Sequence, residues 1–151
     1  MELYSVNLKA YKKFYAGAII VSLVAVLACW AAVAAGYTIL PFFFQSYNIV
    51  RAILVLLVAG AIFNSWYYRK RINQLDNYTD FEDKLPQHEK IYKMRLLWLV
   101  VSCAASAFLY LLTARNLFLY FAVFDFFVCL TAFPNKMLIQ KELKNDEIIF
   151  V

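Results

Sequence analysis

Apolar residues in this chain come in four long runs, over residues 14–36, 49–66, 96–113 and 117–133, rather than in the short alternations of a water-soluble fold. A helix rises about 1.5 Å per residue and the hydrocarbon core of a bilayer is about 30 Å thick. The pattern therefore predicts four transmembrane helices, the last crossing a locally thinned bilayer. The third and fourth runs are parted only by Ala114, Arg115 and Asn116, a turn too tight for anything but an antiparallel pair. Between the first and second runs, residues 37–48 carry Pro41, Tyr37, Phe42, Phe43, Phe44 and Tyr47 and no charge, which suits the membrane–water boundary. The expected fold is all-α, a single domain over residues 1–151 with four transmembrane helices in two antiparallel hairpins.

Short amphipathic helices are expected at both ends. Tyr4, Leu8, Tyr11 and Tyr15 share one helical face beside Lys9, Lys12 and Lys13. This reads either as a helix in the headgroup plane with snorkelling lysines or as the frayed start of the first span. After Phe133, Pro134 and Asn135 end or kink the fourth span. A second short helix over 136–144 then bears Met137, Leu138 and Leu143, and the apolar tail 148–151 is expected to dock on the protein body or on a partner. Residues 67–95 form the one substantial polar stretch and are expected to be a loop. Arg69, Lys70 and Arg71 open it, Asp76, Asp80, Glu82 and Asp83 follow, and Lys84, Lys90, Lys93 and Arg95 lead into the third span. Thr79 and Glu82 have the spacing of a capping box. Pro86 fits the first turn of a helix running through His88 and Tyr92.

Composition supports lipid as the solvent: hydrophobic residues make up 64% and the mean hydropathy is +0.64, against about 45–50% apolar residues in soluble domains. A net charge of +5 raises the possibility of a nucleic-acid partner, but the position of the charges argues against one. Three Lys precede the first run, seven Lys and Arg lie between 69 and 95, and three Lys follow the fourth run, leaving only Arg51 and Arg115 on the other side. The positive-inside rule puts both termini and the 67–95 stretch in the cytoplasm, in a multi-pass protein of the cell membrane. A cleaved signal peptide is the competing reading of the first run, with Ala32-Val33-Ala34 as the site; the run is longer than an ordinary signal core, so it reads as a retained span. Cys29, Cys103 and Cys129 all fall inside apolar runs, which fits small packing residues rather than disulfides or a thiol relay.

Candidate chemistry centres on Asp125, the only acid in any span, where insertion of a charge costs about 2.5 to 3.5 kcal/mol. Phe118, Ala122, Asp125, Cys129 and Ala132 share a face, so the acid is expected to look into the bundle. Three arrangements would hold it: a neutral carboxyl bonded to a serine or a backbone carbonyl, an ion pair with Arg51, or a water-filled pathway carrying a proton or cation. Structural roles are preferred, because one acid without a second titratable partner is thin evidence for transport. Asn64, Ser102 and Ser106 are the other polar span residues, and interhelical hydrogen bonds are their simplest role. Ala18, Ser22, Ala25, Cys29, Ala32 and Gly36 step by four and three along the first run, a small-residue stripe expected to pack inward. Arg69, Lys70 and Arg71 are suited to lipid headgroups, although such a cluster is also the ordinary cytoplasmic flank of a span. His88 is expected to be an exposed loop residue.

No metalloprotease, serine-hydrolase or phosphate-loop motif is present, so neither an enzyme nor a metal or other cofactor is expected. In outline the chain resembles the small multidrug transporters, which also have four spans and one buried acid. Their acid lies in the first span, whereas here it lies in the fourth and the Lys/Arg bias is strong, so no family is assigned. The preferred function is a non-enzymatic subunit or accessory protein of a membrane complex, partnered by the lipid bilayer and by another membrane protein or a second copy. The alternatives are a proton- or cation-coupled transporter or channel using Asp125, and an immunity or pore-forming protein.

Overall fold

The computed structural model of the chain describes residues 5–39, 47–78, 80–144 and 148–150. Helix α1 runs over Leu8–Ala34, α2 over Tyr47–Gln74, α3 over Phe81–Thr113, α4 over Asn116–Thr131 and α5 over Lys136–Leu143. A single 3₁₀ turn, Leu75–Asn77, follows α2, and a two-residue strand β1 (Ser5–Val6) pairs in parallel with β2 (Ile149–Phe150). Three helices, α1 to α3, are long and apolar enough to cross a membrane; α4 with α5, bent by 77° at their junction, makes up to four. Alone, α4 has 16 residues, about 24 Å of rise.

Asn7 opens α1 by accepting the Ala10 N–H at 3.1 Å, satisfying one of the free donors of the first turn. The helix is continuous from there, so the N-terminal face is not a separate helix lying in the headgroup plane. Leu8 and Tyr11 are buried in the bundle, while Tyr4 lies outside the described residues. At the other end Gly36 takes φ of +86°, a conformation open to glycine at little cost, just after the last turn. Gly36 is therefore exposed and outside the helix, which shortens the small-residue stripe expected from spacing.

Residues 67–95 are not a loop. Helix α2 extends through its basic cluster to Gln74, and α3 starts at Phe81, seven residues before His88 and well before the apolar run. His88, Tyr92, Leu96, Leu99 and Cys103 are all buried on α3, at steps of four, four, three and four. One helical stripe thus continues from the polar stretch into the span, and burial of that stripe extends the helix. Pro86 lies in its second turn. The Asp80 carbonyl accepts the Lys84 N–H at 3.2 Å, and no side chain of Asp80 caps the helix. Thr79, and with it the expected capping box, lies outside the described residues, as do residues 40–46 of the aromatic connection.

Helix α3 is the axis of the molecule and packs on α1, α4 and α2. Its best-filled core lies at the polar end, where Val6, Tyr11, Leu75, Tyr92, Leu96, Ile139, Leu143 and Ile148 meet. Farther along, the core narrows to small residues, with Cys103, Ala107 and Ala122 buried beside Val26, and ends with Val50, Tyr110 and Phe118 at the far end. Helix α2 is the loosest member: of its 28 residues only Val50, Asn64 and Tyr68 are buried.

Candidate functional site

The fourth apolar run forms a helix, and the chain reverses into it through Ala114, which takes φ of 54° and donates its N–H to the Tyr110 carbonyl at 2.8 Å. That turn brings α4 antiparallel to α3. The face expected from spacing is the buried one: Phe118, Ala122, Asp125 and Cys129 on α4, with Ala132 just beyond. Opposite them lie Leu99, Cys103 and Ser106. Small side chains let the two backbones come close enough for the Cys103 thiol to reach the Ala122 carbonyl, Sγ to O 3.4 Å.

Asp125 is 6% exposed and accepts a hydrogen bond from the Ser102 hydroxyl at 2.7 Å. Ser106 is fully buried near the same carboxyl, with its hydroxyl outside hydrogen-bond geometry among the described residues. Arg51 does not reach the acid. It is exposed, and its guanidinium sits 4.6 Å from the centre of the Tyr47 ring on its own helix. Among the described residues no ion pair includes Asp125. The acid faces a cleft of about 560 Å³ between α2, α3 and α4, where Ser65, Arg69 and Ser102 are the other polar lining residues and the walls are otherwise apolar, from Leu57 and Ala61 to Phe121 and Phe124.

The remaining expected site residues separate. Ala18 and Ser22 are buried against the bundle, Ala25, Cys29 and Ala32 are half-buried, and the Ser22 hydroxyl has no hydrogen-bond partner. Only Ala18 and Ser22 of the stripe are thus enclosed in the molecule, and the rest is partly or fully exposed. Asn64 is buried but faces a second cavity, of about 360 Å³, between α2 and the start of α3. Arg69, Lys70 and Arg71 point three ways: Arg69 to the Asp125 cleft, Lys70 to the Trp66 ring at 5.0 Å, and Arg71 into the second cavity.

A second polar constellation, at the end where the termini meet, was not expected from the sequence. His88 is 0% exposed, not a solvated loop residue, because the α3 stripe carries it under α1 and α5. Its Nδ1 lies 3.0 Å from the Tyr11 hydroxyl and its Nε2 lies 2.9 Å from Glu142 Oε2. The Tyr68 hydroxyl donates to the same carboxylate at 2.8 Å. One tautomer satisfies every contact: Tyr11 O–H donates to Nδ1, and Nε2–H and Tyr68 O–H donate to Glu142. The knot joins α1, α2, α3 and α5. Burial, with the nearby Glu89 and Glu142 carboxylates, pushes the Tyr11 phenol above its ordinary 10.0; burial and then Glu142 do the same to Tyr68. Tyr92, raised chiefly by burial, donates to the Ala132 carbonyl at 2.9 Å. The spacing of His88, Tyr92 and Leu96 at four-residue steps was the available signal for this site.

His88 and Ser102 are fourteen residues apart on α3, about 21 Å along its axis, and the buried α3 residues between them are Tyr92, Leu96 and Leu99. The hydrogen bonds of the described residues do not link the two polar sites. No group of three or more His, Cys, Asp or Glu among those residues could hold a metal ion. No protein-family model, no curated protein and no solved structure matches the chain.

Proposed function

We propose that this is a multi-pass protein of the cell membrane with four spans, both termini and the polar end in the cytoplasm, acting as a non-enzymatic subunit or accessory protein of a membrane complex. The observation that carries this reading is the position of Asp125: a near-buried acid with one serine donor and no ion pair among the described residues, facing a mostly apolar cleft, which Arg69 also lines, beside the most loosely packed helix. A bare acid toward lipid is costly, and a neighbouring transmembrane helix bringing a hydrogen-bond donor into the cleft removes that cost. Ala18 and Ser22, the start of the small-residue stripe of α1, are already used within the bundle, and the α2–α4 cleft is the surface that best distinguishes a partner from lipid. Four spans account for the tight α3–α4 turn and for thirteen of fifteen basic residues falling on one side.

The alternative is a proton- or cation-coupled transporter using the same acid. The two polar sites lie about 21 Å apart along α3 and the hydrogen bonds of the described residues do not join them, which disfavours it, because a proton path needs successive polar groups. Purification in mild detergent tests the choice. The expected result is a stoichiometric membrane partner or a defined oligomer that persists in Asp125→Asn, which keeps an acceptor oxygen, and is released by Ala61→Trp, which fills the cleft. A lone monomer whose proteoliposomes show pH-dependent flux abolished by Asp125→Asn would contradict the proposal and favour transport.

A further inference from the structure

The cavity between the end of α2 and the start of α3 has a chemistry unlike that of the Asp125 cleft. Arg71, Lys90 and Arg95 line it and, among the described residues, no carboxylate does. None of the three forms an ion pair among the described residues. Arg71 is braced by its own helix, its Nε donating to the Tyr67 hydroxyl at 2.9 Å and its guanidinium lying 5.2 Å from that ring; the Arg95 guanidinium stacks 4.3 Å from the Tyr68 ring. Both are held by aromatic faces, which fix the fork of N–H groups without neutralising it. Three cations converge on a concave site of about 360 Å³, where they concentrate positive potential.

The other wall is apolar. Phe63, Met94 and Trp98 line the cavity and are about half exposed, so they form a mouth continuous with the outer surface of the bundle. Trp66 and Trp98 sit at the ends of the second and start of the third apolar runs, the level favoured by indole at the interface. Arg71 lies five residues beyond Trp66, about 7.5 Å along α2, the depth of a headgroup layer. A ligand fitting both walls has a compact anionic head and an apolar continuation at the hydrocarbon boundary.

We propose that this cavity is a binding site for a single anionic phospholipid, its phosphate held by Arg71, Lys90 and Arg95 and the root of its acyl chains laid over Phe63, Met94 and Trp98. Arginine forks match phosphate oxygens in pairs. The apolar wall sets the lipid apart from a free phosphate, which would use only the basic half. The site uses one residue of the Arg69–Arg71 cluster; the other two cations come from α3 and are brought there only by the extended helix.

The test uses the full chain in nanodiscs of phosphatidylcholine, with Trp30→Phe and Trp66→Phe so that Trp98 is the only indole. Phosphatidylglycerol brominated near the top of its acyl chains is expected to quench Trp98 more strongly than brominated phosphatidylcholine at the same mole fraction. Arg71→Gln with Lys90→Gln is expected to lower that preference about fivefold per cation removed, while Arg71→Lys with Lys90→Arg retains most of it and guards against misfolding. Equal quenching by the two lipids, or an unchanged preference in the double glutamine variant, overturns the site. Displacement by millimolar inorganic phosphate overturns the lipid and assigns a free anion. The inference rests on the membrane placement above; release of the chain from vesicles by alkaline carbonate would overturn that placement, whereas equal quenching in an embedded chain overturns the lipid site alone.

Discussion

Glu142 is the single residue on which the polar end converges, accepting from Tyr68 and from His88, which in turn is joined to Tyr11. Hydrogen bonds to a charged group contribute about 1.5–3 kcal/mol each, and a buried donor left without its partner costs about 1–3 kcal/mol. Glu142→Ala strands the Tyr68 and His88 donors together, so it is expected to destabilise the protein by about 2 kcal/mol or more, read as a lower unfolding midpoint in mild detergent. Half-buried Ser102 and buried Ser22 predict opposite results. Ser102→Ala removes the donor to Asp125 and is expected to cost about 0.6 kcal/mol and at most about 1.7 kcal/mol, the range of interhelical hydrogen bonds within a membrane. Ser22→Ala removes a buried hydroxyl without a partner and is expected to be neutral or stabilising in the same assay. The tyrosines predict a pH window. Tyr11, Tyr68 and Tyr92 all have folded-state values raised above 10.0, so the fold favours their protonated form. Their stabilising contribution is full below pH 10 and declines above it, as the unfolded chain ionises and the folded chain does not. Absorbance at 295 nm, followed to pH 11, should show these three phenols still protonated, and each Tyr→Phe variant should leave the tyrosinate signal at that pH unchanged.

At the scale of elements, the first three apolar runs were legible because their only requirement is length, and a run of eighteen or more residues satisfies it whatever it packs on; the fourth, at 17 residues, reaches span length only when α4 is counted with the bent α5. The tight turn at 114–116 and the buried face around Asp125 were legible for the same local reason: both follow from spacing within one helix. What lay beyond the sequence depended on contacts between distant elements. The stretch 67–95 is charged enough to pass for a loop, yet Tyr68, Leu75, His88 and Tyr92 find α1 and α5 across it and carry the helix outward. Arg51 was within plausible reach of Asp125 by helical rise, but the Tyr47 ring one turn away gives it a local partner without crossing the bundle. The glycines give an element-scale test. A Cβ at Gly17 meets nothing within 4 Å on the exposed side of α1. Gly17→Ala is therefore expected to raise stability by about 0.5–1 kcal/mol, since glycine inside a helix loses more backbone entropy than alanine. Ala18→Leu, one position along on the buried face, is expected to lower it by about 1–3 kcal/mol through overpacking.

For the whole molecule, the packing is graded: dense and polar-knotted where the termini meet, narrow and small-sided in the middle, loose around α2. A bundle held this way can keep its polar end fixed while α2 adapts to a neighbouring helix or lipid, and both clefts lie along that helix. The account as a whole depends on the polar end facing the cytoplasm and the α1–α2 connection facing outward. The most direct measurement is labelling of intact cells with a membrane-impermeant maleimide, on a background in which Cys29, Cys103 and Cys129 are replaced by alanine. Tyr37→Cys and Met137→Cys place thiols at positions 72% and 76% exposed, at opposite ends of the bundle. The expected result is that position 37 reacts in intact cells and position 137 reacts only after lysis; reaction at both without lysis, or the reverse order, would contradict it.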